Sequence, residues 1–285
     1  MRRAFLLLST LLAGCIPGGL TDFSSVSMGS FNAGALRHGA RLPASGEGYV
    51  VPALWAARGA SYGTDEIVAM IRRAARRVAR EFPGAVLGVG DLSLKGGRDS
   101  ELHASHRAGR DADLIYYAVD ERGRPVPPVS SMPRYGTADR KARDPGPQMH
   151  GVVYQPFSPR WLDIPREWAL VRALLEDPSA AVQYLFCHEK IRDQLLAHAR
   201  DIGEDEALIE RAEALLRQPS DSAMHDDHLH LRVHCASDDR AYGCADRGPL
   251  RWWKQRWKYM PPEASPSTWD DLTEVAVRAV QPGLL

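Results

Sequence analysis

The chain lacks net charge: 36 Lys and Arg stand against 36 Asp and Glu. Without a field of one sign, nucleic acid is not expected as a partner, nor is an anionic membrane surface held by charge. No apolar run is long enough to cross a bilayer, whose core of about thirty Å asks for roughly twenty residues of helix. There are no internal repeats. Cysteine is scarce, at four in 285 residues. What remains is an ordinary globular composition, with enough chain to bury a sizeable core as one large domain.

The first fifteen residues stand apart. Met1-Arg2-Arg3 is a basic start, Ala4 to Ala13 is mostly apolar, and Leu12-Ala13-Gly14-Cys15 closes the run. That is the build of a signal peptide. Leu-Ala-Gly-Cys resembles a bacterial lipoprotein box, which implies lipidation of Cys15 and a stable membrane anchor. Ile16 in place of aspartate after the cysteine favours the outer membrane over the inner. The expected organisation is a signal peptide over 1–15, a tether over 16–35, one main domain over 36–260 and a polar tail over 261–285.

Export makes disulfides possible. Cys235 and Cys244 flank a short polar loop and are the expected pair, and Cys187 is then a buried free thiol. Apolar spacing predicts helices over Glu66 to Phe82, Pro165 to Glu176, His188 to Arg200 and Glu204 to Gln218. Strands are predicted over Ala85 to Ser93, Asp113 to Ala118 and Ala181 to Cys187. Ile16 to Arg58 reads as a tether ending in a wrapped surface strand, and Asp120 to Pro147 as a long loop walling a groove. The arginines of the first helix suit a solvated face better than a glycan or phosphate patch. Trp252, Trp253, Trp257 and Tyr259 form an aromatic cluster, read as core packing against a saccharide platform. One more helix is predicted near Trp269 to Val280.

Two histidine clusters carry the chemistry. In His225-Asp226-Asp227-His228-Leu229-His230-Leu231-Arg232-Val233-His234, polar and apolar residues alternate as in a half-buried strand, so His228 and His230 share one face. They would stand about 7 Å apart along it. Far upstream, His103-Ala104-Ser105-His106 leads through Gly109 to Asp113, a carboxylate entering an apolar, strand-forming run. A buried carboxylate there is costly unless paired or bound to metal. His106, Asp113 and one histidine of the second cluster would make three ligands and leave a fourth position for water, the layout of a catalytic zinc. Asp226 and Asp227 are candidates to orient imidazoles or are simply solvated. His234 reads as structural. Arg107, Arg110 and Arg232 could receive a substrate carboxylate or serve as surface charges.

These residues resemble the penicillin-insensitive murein endopeptidases, zinc peptidases related to lysostaphin-like enzymes, D-Ala-D-Ala peptidases and the hedgehog domain. The resemblance runs over roughly Ser27 to Tyr259 and takes in Leu36…Gly39…Leu42-Pro43, Gly90-Asp91-Leu92-Ser93 with Gly96-Gly97, and Trp168…Val171…Asp177-Pro178. It implies an α+β fold in which a small antiparallel sheet carries the site, flanked by helices and long loops. It implies zinc on His106, Asp113 and His230, with His225 and His228 as catalytic histidines. The substrate it implies is peptidoglycan, cut between D-alanine and the side chain of meso-diaminopimelate. His103 corresponds to a position that in some members binds a second metal at a subunit contact, a role in which His150 is a weaker partner, and this raises a homodimer as an expectation. The alternatives are a D,D-carboxypeptidase or amidase acting on stem peptides, and a non-catalytic wall-binding lipoprotein.

Overall fold

The computed structural model of the chain describes residues 24–97, 103–136, 140–143, 157–178, 180–220 and 222–246. The N-terminal half gives strands β1 (Val26–Ser30), β2 (Ala33–Arg37), β3 (Ala40–Arg41), β4 (Ser45–Gly46) and β5 (Tyr49–Val50), then helix α1 (Ala53–Arg58), β6 (Tyr62–Gly63) and α2 (Asp65–Glu81). Next come β7 (Leu87–Val89), β8 (Asp111–Ile115), β9 (Ala118–Val119), β10 (Pro125–Val126), β11 (Trp161–Leu162) and α3 (Ile164–Leu175). The chain continues through β12 (Val182–Phe186), α4 (Glu189–Asp201), α5 (Glu206–Leu215), β13 (Leu216–Arg217) and β14 (His228–Val233). The fold is α+β, as expected.

The long helices form where the apolar spacing placed them. In α2, Ile67, Met70, Ile71, Ala74 and Val78 recur at helical intervals and are all buried, while Asp65 and Glu66 occupy the positively polarised first turn. Asp163 caps α3 by accepting from the Arg166 N–H, with Pro165 in the first turn. Helix α3 packs on α2, α4 and α5.

The principal sheet is larger than expected, with seven strands in the order β4-β5-β7-β8-β14-β12-β13. It is also mixed: β5 runs parallel to β7 and β12 parallel to β13, whereas the β7-β8-β14-β12 centre is antiparallel. The expected small antiparallel sheet is that centre. Pairing between β8 and β14 sets which side chains meet. Leu229 stands opposite Leu114 and Leu231 opposite Ala112, and all four join the hydrophobic core. His228, His230 and Arg232 stand opposite Ile115, Asp113 and Asp111 and share the other face.

Three local expectations change. Residues 26–35, assigned to a tether, form the β1–β2 hairpin with Ser27 buried, so ordered structure begins before residue 36. The stretch ending at Arg58 closes in helix α1, whose Leu54 and Trp55 are buried. The long loop after Asp120 folds in part, because β10 and β11 both pair with β9 in a small three-stranded sheet. The aromatic cluster at 252–259, His150, Cys15 and the helix near 269–280 lie outside the described residues. No helix among the described residues is long and apolar enough to cross a membrane.

Cys235 and Cys244 form the expected disulfide, and Cys187 is free and buried. Beside the bridge the Asp246 carboxylate accepts from Arg110, Arg240 and the Cys235 N–H, with His234 Nδ1 at 3.4 Å. His234 is thus in a structural setting. Arg110 is buried here, also donating to Ser27 and to the Val233 carbonyl, and is neither a surface charge nor placed to receive a substrate.

Two stability measurements follow. Opening the disulfide with Cys235→Ser should cost roughly 2–3 kcal/mol in urea unfolding, the entropy of so short a loop. Glu167 on α3 is fully buried and accepts from the Tyr117 N–H; burial pushes its carboxyl up to about 8. Below the ordinary carboxylate range both states are protonated and nothing is lost. As pH rises towards 8, the unfolded chain releases a proton that the folded chain keeps, so stability falls. Glu167→Gln should abolish that decline, on the order of a few kcal/mol between pH 5 and pH 8.

Candidate metal centre

Strand β8 is the sequence Asp-Ala-Asp-Leu-Ile with every residue buried. Two carboxylates in a central strand demand partners, and the opposing face of β14 supplies them. Asp113 Oδ1 lies 3.2 Å from His106 Nε2, 3.2 Å from His230 Nδ1 and 3.3 Å from His228 Nε2. Three imidazole nitrogens therefore surround one carboxylate oxygen. Yet His106 Nε2 and Asp113 Oδ1, both buried, make no hydrogen bond in this arrangement. Polar atoms brought so close are compatible with the ligands of one metal ion.

Each ring is held from its far side. His106 Nδ1 is 2.9 Å from the Leu92 carbonyl, and the residue sits at φ 64°, a left-handed conformation uncommon outside glycine. Such strain is retained where the surroundings over-determine it. His230 Nε2 is 2.8 Å from Asp111 Oδ1, leaving Nδ1 towards Asp113. His228 Nδ1 is 2.7 Å from Asp227 Oδ1, so Asp227 does orient an imidazole. Asp226 does not: its buried carboxylate accepts from Arg134, with Arg143 at 3.6 Å.

His225 is fixed by its backbone instead. Its N–H donates to Gln218 Oε1, and its carbonyl accepts from the Tyr116 hydroxyl and the His188 N–H. Its own Nδ1 is buried without a partner. The Phe186 ring packs 5.7 Å from the His225 ring and 5.4 Å from that of His230.

The electrostatics separate the two outer histidines. Burial pushes His225 down to about 3, helped by the neighbouring His228 and His230. Burial works against a charge on His228 too, but the Asp113 and Asp227 carboxylates outweigh it and raise the ring to about 10. His106 is raised because Asp113 overcomes its burial. Asp113 is held well below the carboxylate range, His106 and His228 outweighing its burial. Asp111 is lowered likewise, with Arg232 the leading opponent of burial.

Among the described residues the ligand-type side chains fall into two groups, His225 with His228 and His230, and His103 with His106 and Asp113. Within each, ligand atoms lie inside 4.8 Å of one another. The triad His106, Asp113 and His230 draws on both groups and meets at Asp113 Oδ1. His103 stacks on His106 with ring centroids 4.4 Å apart, and its Nε2 lies 2.9 Å from Asp91 Oδ2, which also accepts from Arg58. Two nitrogens and a carboxylate oxygen are a donor set that suits zinc.

A sequence profile of penicillin-insensitive murein endopeptidases matches residues 27–254. The chain belongs to that family. Proteins named penicillin-insensitive murein endopeptidase from Escherichia coli O1:K1 / APEC, strain SMS-3-5 / SECEC and O127:H6 (strain E2348/69 / EPEC) are each 26% identical over 216 residues. The match covers 75% of this chain and 68% of each relative. Membership in this murein endopeptidase family accords with a peptidase-type site built from histidine and aspartate.

Sequence reasoning passed over Asp111, Gln218, Tyr116, Phe186 and Arg134. Asp111 has a signal, since it precedes Asp113 by two residues and shares its strand face, although the expected strand begins only at Asp113. Gln218 and Arg134 had none, since they act through folded loops. Arg232 is buried against Asp111 and the Phe31 ring rather than offered to a substrate, and Arg107 donates to the Asn32 carbonyl. Asp226→Ala removes the partner of Arg134 beside His225 and should lower stability by on the order of 1–3 kcal/mol in thermal unfolding.

Proposed function

We propose that the chain is a zinc-dependent murein endopeptidase that hydrolyses D-alanyl–meso-diaminopimelyl cross-links in peptidoglycan. The observation that carries the reading is Asp113 Oδ1 ringed by three imidazole nitrogens at 3.2–3.3 Å, with buried ligand atoms on His106 and Asp113 left unbonded. In this reading His106 Nε2, Asp113 Oδ1 and His230 Nδ1 hold zinc. Zinc there would supply Lewis acidity and an acidified water at neutral pH.

The protein's own groups then divide the proton work. His228, oriented by Asp227, suits hydrogen-bond donation to a developing oxyanion. His225, with an unpartnered Nδ1, suits taking the proton that the attacking water loses and passing it on to the departing amine. Phe186 packs beside His225 and His230 and keeps solvent from that side of the rings. His103, as a ligand of a second metal across a subunit contact, belongs to the same proposal together with the homodimer it implies. So do export to the periplasm and anchoring through a lipid on Cys15, in the outer membrane for preference.

His106→Ala and Asp113→Ala should each lose bound zinc by elemental analysis and lose digestion of purified sacculi. Wild type should convert dimeric fragments to monomers without shortening the stems. Normal digestion by either variant would overturn the site. Shortened stems would instead mark a carboxypeptidase, and binding to sacculi with an unchanged fragment profile a wall-binding protein.

A further inference from the structure

The tip of the β1–β2 hairpin touches both segments of the metal centre. On one side the Phe31 carbonyl accepts from the Arg107 N–H at 3.1 Å, and the Asn32 carbonyl from the Arg107 guanidinium at 3.0 Å. Arg107 directly follows His106. Gly34 of β2 lies so near Ala108 that an added Cβ would come within 2.9 Å of the Ala108 side chain. On the other side the Phe31 ring lies 3.6 Å from the Arg232 guanidinium carbon, which is also 5.2 Å from the Phe186 ring. Arg232 Nε donates to Asp111 Oδ1 at 2.6 Å, and that same oxygen is 2.8 Å from His230 Nε2. A continuous stack thus runs from Phe31 through Arg232 and Asp111 to His230. Arg232 and Asp111 are both buried, and Asp111 Oδ2 makes no hydrogen bond.

We propose that Phe31, Arg232 and Asp111 are positioning residues for the metal centre, and that the N-terminal hairpin is the element which fixes its ligands. Asp111 accepts the Nε2 proton of His230, which keeps the Nδ1 lone pair available and the ring turned towards Asp113. Arg232 donates to the same oxygen and so holds Asp111 in place. Phe31 in turn covers the guanidinium with its π face, a contact that gains in a dry setting. Arg107, tied to the hairpin tip, does the matching work for the His106 segment. None of these residues touches substrate. The inference rests on the reading that His106, Asp113 and His230 hold zinc.

The test uses Asp111→Asn and Phe31→Leu in the mature chain. It measures zinc affinity by competition with a chelator, the visible spectrum of the cobalt-substituted protein, and the melting temperature of the metal-free chain. Asp111→Asn is expected to weaken zinc by about 10- to 100-fold and to alter the cobalt spectrum. Phe31→Leu keeps apolar bulk but removes the π face, and should weaken zinc by about 3- to 10-fold at an unchanged metal-free melting temperature. A purely structural role would lower the melting temperature and leave affinity and spectrum alone, and that result overturns the inference. If Asp111→Asn does not fold, Phe31→Leu decides by the same readouts. Wild type that takes up no metal sinks the zinc reading and the inference together. Metal-replete wild type with unaffected variants sinks the inference alone.

Discussion

Burying two carboxylates in the middle of a sheet is the constraint to which the rest of the molecule answers. Asp111 and Asp113 sit in a strand with no exposed residue, where an unpaired carboxylate would cost several kcal/mol. Neighbours within β8 cannot help, because Ala112 and Leu114 point into the apolar core. Relief has to come across the sheet, and β14 brings His230 and Arg232 into register opposite the two acids. His106 then reaches Asp113 from a left-handed turn, and His228 completes the ring of nitrogens. The functional cluster is therefore also the way this fold tolerates its own central strand.

That arrangement explains the division of labour between the acids. Asp113 faces imidazole nitrogens that do not hydrogen-bond to it and is the acid suited to an ion. Asp111 is saturated on one oxygen by His230 and Arg232 and is suited to holding others in place. The outer histidines differ for comparable reasons. His228 has a carboxylate at each ring nitrogen, whereas His225 is fastened only through its backbone and packs against other rings. Strand β14 and the turn before it thus present histidines of opposite proton affinity side by side, His225 lowered and His228 raised.

Much of the centre was legible before any coordinates because its members lie in two short segments with strict period-two or turn-forming patterns. His106, Asp113, His228 and His230 announce themselves by chemistry that apolar strands otherwise avoid, and the nine-residue separation of Cys235 and Cys244 announces a bridge. Asp111 stays hidden because the expected strand begins at Asp113, two residues after β8 starts, and in a strand that offset conceals every contact the residue makes. Arg110 and Arg232 were misjudged because sequence cannot show a guanidinium that its partner is buried. The N-terminal hairpin was invisible for another reason: its Gly- and Ser-rich strands carry little β propensity, and they are ordered by contacts to residues some eighty and two hundred positions away, such as Ala108 and Asp239.

Strand β14 has a neighbour on each side, β8 and β12, and so offers no free edge. A shift of one residue against β8 would swing both of its imidazoles into the oily interior and turn Leu229 and Leu231 outwards. A sheet paired out of register would therefore part His228 and His230 from Asp113. Correct pairing of β8 with β14 and the meeting of Asp113 with His230 are one and the same arrangement. A chain that pairs these two strands, on this account, gathers its histidines and its acid in the same stroke.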